Sequence, residues 1–218
     1  MLITFSGLDG SGKSTLAECL RESLEKRNQP ALVFHMYYDV GLLACARAVV
    51  KRLAGRKNEP ETKSAHAPRA EGRKTLKGRL KYALAWNKSL RLCVYPFDLV
   101  IFLCYRLYIE KVRGRVLIMD RYFYDTLVDV ADGERRLRGV RLLSRLTPQP
   151  NVPVLVDISP EEAFARKGEH SVDSLRRRRQ SYQKLFPQSG AAVVLAGGDD
   201  LGATRSRLEQ IVLERMTA

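Results

Sequence analysis

The 218 residues suit one domain of ordinary size, and an apolar share of 45% beside a charged share of 28% excludes a fibrous or wholly disordered chain. The 38 Lys and Arg against 24 Asp and Glu leave a net charge of +14, which favours anionic partners such as nucleotides, nucleic acid or an acidic membrane surface. Between Lys51 and Arg91 thirteen basic residues meet three acidic ones, so this one stretch carries +10 of that charge.

The chain opens with a short apolar run, Leu2 to Ser6, followed by glycines and then by Leu16, Leu20 and Leu24 at helical spacing, which predicts strand, glycine loop and helix. No basic residue precedes the run, and it is too short for a secretory leader. Ala31 to Met36 reads as a second buried strand. The basic stretch about 51–91 is broken by Gly55, Pro60, Pro68, Gly72 and Gly78, which predicts an irregular excursion with helix resuming near Leu76 or Leu80.

Val94 to Arg113 has helical length, ends at Gly114, and leads into the apolar strand Val116 to Asp120. The longest apolar stretch, Leu92 to Tyr105, is interrupted by Pro96 and Asp98 and falls short of the ~20 residues of a membrane span, so no transmembrane segment is expected. Val154 to Ile158 predicts a fourth strand, and Ser159-Pro160-Glu161-Glu162 a capped helix start. A polar helix through Arg176 to Phe186, a strand from Ala191 to Leu195 and a helix from about Leu201 to Met216 complete the pattern. Strands alternating with helices predict an α/β fold, a five-stranded parallel sheet with helices on both faces. The cysteines Cys19, Cys45, Cys93 and Cys104 form no Cys-x-x-Cys pair, so neither a disulfide framework nor a zinc site is signalled and a reducing cytoplasm fits.

Gly7-Leu8-Asp9-Gly10-Ser11-Gly12-Lys13-Ser14 satisfies G-x-x-x-x-G-K-[ST] between a predicted strand and a predicted helix. Glycines at 7, 10 and 12 leave backbone N–H groups, with that of Ser11, open to curl round a phosphate at the positive end of a helix dipole. Lys13 adds a point charge for the β and γ phosphates of ATP, and the Ser14 hydroxyl is placed for Mg2+. Asp120-Arg121 closes a strand at the end of the sheet that faces a ligand crevice, with Asp120 placed to hold the ion directly or through water.

These residues resemble the thymidylate kinase family: FSGLDGSGKST at 5–15 its P-loop, VLIMDRY at 116–122 its Asp-Arg-Tyr strand end, VLVDISPEEAFAR at 154–166 the strand and helix before its lid. Residues 193–211 are similar to its last strand and helix, so the likeness covers about 1–36 and 115–218. The resemblance implies a P-loop kinase domain over 1–218, with Lys13, Ser14 and Thr15 toward ATP and magnesium and Asp9 toward an acceptor hydroxyl. It implies Arg121 toward the acceptor phosphate or the transferring group, Arg166 near the adenine, and a lid-like segment about 167–180 carrying the run Arg176 to Arg179. Successive helix positions point about 100° apart, so only one or two of these arginines can reach a ligand, and Arg176 is taken as catalytic. A homodimer is implied as well.

The chain departs from the family after the second strand, where an Arg-Glu-Pro-Gly segment is replaced by Phe34-His35-Met36-Tyr37-Tyr38-Asp39. The acceptor set read here is Tyr38, Asp39, Arg121 and Tyr122. A phosphate acceptor such as thymidine monophosphate needs positive clamps, from Arg121, Arg135 or Arg136; a hydroxyl acceptor (nucleoside, sugar or glycan terminus) needs a carboxylate base, from Asp9, Asp39 or Asp125. His35, Tyr37 and Tyr38 either stack on the acceptor or pack, Tyr182 either lines the cleft or packs, and His66 and His170 read as surface histidines. A nucleotide-switched binding module is the other class. Only Tyr82 and Trp86 interleave with the basic stretch, which argues against specific nucleic-acid reading and for a cover over an anionic substrate.

Overall fold

The computed structural model describes residues 1–36, 88–130, 140, 142–168, 170–186, 192–197 and 201–217, with the side chains of 88–94 left out. Its elements are β1 (Leu2–Gly7), α1 (Lys13–Lys26), β2 (Ala31–His35), α2 (Lys88–Leu107) with a π turn (Tyr108–Val112), β3 (Val116–Asp120) and α3 (Phe123–Val130). Then come β4 (Val152–Asp157), α4 (Pro160–Lys167), α5 (Val172–Leu185), β5 (Val193–Ala196) and α6 (Leu201–Thr217). Tyr38, Asp39, Arg135, Arg136 and residues 51–87 of the basic excursion lie outside the described residues, and residues 88–91 lie in α2.

The five strands form one parallel sheet in the order β2-β3-β1-β4-β5, as the alternation of apolar runs and helices predicts. β1 is central and every residue of it is buried, because helices cover both faces. Ile3 and Phe5 face one helix layer with Leu16, Leu20 and Leu24 of α1 and Leu208 and Val212 of α6. Leu2, Leu117 and Met119 face the other, with Phe102 of α2, Phe123 and Leu127 of α3 and Leu175 and Tyr182 of α5.

α2 is described from Lys88, so Pro96 lies inside the helix and forfeits one backbone hydrogen bond. The helix closes through the π turn, in which the N–H of Arg113 donates to the carbonyl of Tyr108 at 3.0 Å. α4 starts as its sequence predicts: Ser159 Oγ accepts from the N–H of Glu162 at 3.1 Å, and the Ser159 N–H donates to Glu162 Oε2 at 3.3 Å. It ends at Gly168 with φ 63°, the left-handed residue that closes helices.

Candidate functional site

The loop between β1 and α1 is shaped by its glycines. Gly7 has φ 142°, and a Cβ there would lie 2.4 Å from the carbonyl oxygen of Val156, so the close approach of β1 to β4 excludes any side chain. Gly12 has φ 89° and ψ 9°, a left-handed residue that opens α1 with no side-chain cap and no acidic residue in the first turn. The first N–H groups of α1 and its dipole therefore face the loop. Ser11 is buried and Ser14 and Thr15 are exposed at this end.

Lys13 is 5% exposed, and its ammonium donates to the carbonyls of Gly7 at 2.9 Å and Leu8 at 2.5 Å and to Ser11 Oγ at 3.2 Å. Burial, with the charge of Arg121, pushes its pKa down to about 8, against the pull of Asp125, Asp9 and Asp120.

Ser14 Oγ donates to Asp120 Oδ2 at 2.5 Å, and His35 Nδ1 lies 3.1 Å from the same oxygen. Burial would raise the Asp120 carboxyl, but hydrogen bonds from His35 and Ser14 and the charge of Lys13 hold it below its ordinary value. Asp120 Oδ1 is buried without a hydrogen-bond partner among the described residues. A carboxylate held ionised beside a serine hydroxyl, with an oxygen left over, fits a divalent cation of the Mg2+ type.

On the other side of the loop, Asp9 sits among basic side chains. The guanidinium of Arg121 pairs with Asp9 Oδ1, Arg178 Nη1 donates to Asp9 Oδ2 at 3.4 Å, and His170 Nε2 stands 3.7 Å from Oδ2. Burial would raise the Asp9 carboxyl, but Arg121, Lys13, Arg178 and Lys167 hold it below its ordinary value. Arg121 adopts φ 70°, a left-handed conformation uncommon outside glycine, anchored by its N–H donating to the carbonyl of Phe5 at 2.9 Å. Arg178 also donates to Asp129 Oδ1 at 2.5 Å.

The structure thus brings Gly7, Asp9, Gly10, Ser11, Gly12, Lys13, Ser14, Asp120 and Arg121 together around one loop. Arg166 reaches over it, donating to the carbonyls of Gly10 at 3.4 Å and Gly197 at 3.1 Å. Arg176 is not brought there: its side chain is 55% exposed and pairs with Glu161 at 2.9 Å and Asp173 at 3.3 Å. Arg178, 16% exposed, turns toward Asp9 instead, and Arg179 makes two bonds of 2.7 Å to Asp157. Nor does Tyr122 face the cleft. It is fully buried, its hydroxyl donates to the carbonyl of Pro148 at 2.6 Å, and its ring packs edge-on against Phe102, Phe123 and Tyr124.

Of the two residues near Asp9 that the sequence reading did not single out, Arg178 carried a signal. Leu175, Tyr182 and Leu185 are the buried residues of α5, and Arg178 falls on their stripe, whereas Arg176 and Arg177 fall outside it. His170 had no such signal, since only the fold brings it to Asp9. A separate open cavity of about 410 Å³ lies against β4, β5 and α6, lined by Asp157, Glu162, Arg179 and Arg207 among others, and no loop residue takes part in it.

No protein-family model matches the chain. It is similar over nearly its whole length to curated proteins. The probable thymidylate kinase 1 of Saccharolobus solfataricus is 23% identical over 206 residues, which span 91% of this chain and 89% of that one. The probable thymidylate kinase of Thermococcus onnurineus is 25% identical over 92% of this chain and 93% of its own, and the thymidylate kinase of Mycoplasmopsis agalactiae 27% identical over 85% and 78%. With the glycine loop, the parallel sheet and these likenesses together, the chain is a P-loop kinase, a phosphotransferase, and it is similar to thymidylate kinases.

Proposed function

We propose that the protein moves the γ-phosphoryl group of Mg-ATP to a phosphate acceptor, a nucleoside monophosphate of the thymidine monophosphate class. The convergence of Arg121 and Arg178 on Asp9 carries this reading. Two guanidinium groups beside the loop suit an anionic acceptor and the charge that spreads over the transferring group. A hydroxyl acceptor needs a carboxylate with a pKa near the working pH. Asp9 is held below its ordinary value, and Asp125 is fully buried with both oxygens bonded, so neither suits that work.

In this reading the loop N–H groups and the α1 terminus grip the ATP phosphates, while Lys13 exchanges its bonds to the Gly7 and Leu8 carbonyls for phosphate oxygens. Ser14 and Asp120 would hold Mg2+, which neutralises charge on the phosphates. Arg121 positions the acceptor phosphate, Arg178 neutralises charge on the equatorial oxygens, and Arg166 lies beside the adenine. We place the protein in the cytoplasm, where its substrates are. Pairing into a homodimer rests on the resemblance alone.

The test is ADP release from Mg-ATP across nucleoside monophosphates, nucleosides, sugars and short glycans, with Lys13→Ala as the blank. Turnover on a monophosphate that Lys13→Ala abolishes is expected. Turnover on hydroxyl acceptors alone would overturn the acceptor class and make Asp39 the residue to test; tight ATP binding without turnover would favour a nucleotide switch.

A further inference from the structure

Asp125 of α3 has no exposed surface, yet its carboxylate collects three donors from three different segments. Oδ2 accepts from Ser6 Oγ at 2.7 Å and from the N–H of Tyr122 at 2.9 Å, and Oδ1 accepts from the Tyr182 hydroxyl at 2.7 Å. Ser6 is the last residue before Gly7 and the phosphate loop. Tyr122 follows the left-handed Arg121. Tyr182 lies one turn beyond Arg178 on the inward face of α5.

A carboxylate costs much more to bury than an apolar side chain of its size, so stability alone gives no reason for one among Phe123, Leu127 and Tyr182. What a carboxylate offers, and an apolar residue does not, is directional bonding to several groups at once. The two guanidinium groups that converge on Asp9 come from different elements, Arg121 from the end of β3 and Arg178 from α5, and Asp125 bonds the residue adjoining each of them or one turn away.

We propose that Asp125 is a positioning residue for phosphoryl transfer: through Ser6, the Tyr122 N–H and the Tyr182 hydroxyl it fixes the phosphate loop, the Arg121 turn and α5 relative to one another, and so holds Arg178 at the reacting phosphate. The inference rests on the phosphoryl-transfer reading above. It separates the residue that touches the phosphates, Arg178, from the group that aims it.

The experiment is a double-mutant cycle on kcat with Tyr182→Phe and Arg178→Ala, in full-length protein with Mg-ATP and the best monophosphate acceptor. Tyr182→Phe removes one hydroxyl and leaves the ring, so it is the milder probe; Asp125→Asn is the second variant, and thermal melting reports folding of each. Tyr182→Phe is expected to lower kcat about tenfold with KM for ATP within about twofold. In the Arg178→Ala background the same change should lower kcat by less than about twofold, because the arginine to be aimed is gone. Equal fold-losses in both backgrounds, or unchanged kcat in Tyr182→Phe, would reduce the network to a structural one and overturn the proposal. Absence of any Lys13-dependent turnover in the wild-type protein would overturn the reaction itself, and the positioning role with it.

Discussion

Lys13 shows how one side chain can carry opposite demands. In the proposed reaction its ammonium acts as a charge, yet burial lowers its pKa from the ordinary 10.5 to about 8. The folded state therefore releases its proton earlier than the unfolded state does. Between pH 8 and 10.5 the unfolded chain holds the extra proton, so this group's contribution to stability rises with pH in that window. Activity runs the other way. The expected result is that kcat/KM for ATP, which reports the free enzyme, falls as pH passes about 8, while the Lys13 contribution to thermal stability grows over the same range. A kcat/KM profile flat to pH 10 would show that Lys13 stays charged. The place of this lysine in the loop was legible from the motif alone, because the motif is contiguous. Tyr122 was not: a strand-end motif gives order along the chain but does not say which way the residue after a left-handed turn will point, and here it points into the aromatic cluster.

At the level of elements, α5 sorts four adjacent arginines by helix geometry. The stripe Leu175, Tyr182 and Leu185 is the packed face, Arg178 shares it, and Arg176 lies outside. Arg178→Ala is expected to lower kcat on the order of a hundredfold, the scale of losing one fixed charge at the transferring phosphate. Arg176→Ala should stay within about twofold, since exposed ion pairs such as those with Glu161 and Asp173 contribute little. Steady-state kinetics on the two variants would check this, and a larger loss for Arg176→Ala would reverse the assignment. The charge run concealed the stripe, because four like residues in a row look like one solvated surface until the apolar residues three and four positions away are counted. The capped start of α4, by contrast, was readable from Ser159 to Glu162, since a capping box is wholly local.

For the whole molecule, the alternation of short apolar runs with amphipathic helices was enough to predict a parallel sheet covered on both sides. The strand order was not readable, because it depends on which runs meet across long connections. Net charge acts at this scale too. With +14 over the chain, anionic substrates should be drawn toward it before any contact forms. Raising ionic strength from low to physiological values is therefore expected to lower kcat/KM for ATP and acceptor several-fold while kcat holds, and equal kcat/KM at both strengths would count against steering.

The backbone at Arg121 bears on how this protein can change over generations. A left-handed φ of 70° is one that asparagine accepts more readily than arginine. Arg121→Asn is therefore expected to melt no lower than the wild type while losing at least about a hundredfold in kcat. Drift screened only for a durable fold would let that arginine go, and only a screen for activity would keep it.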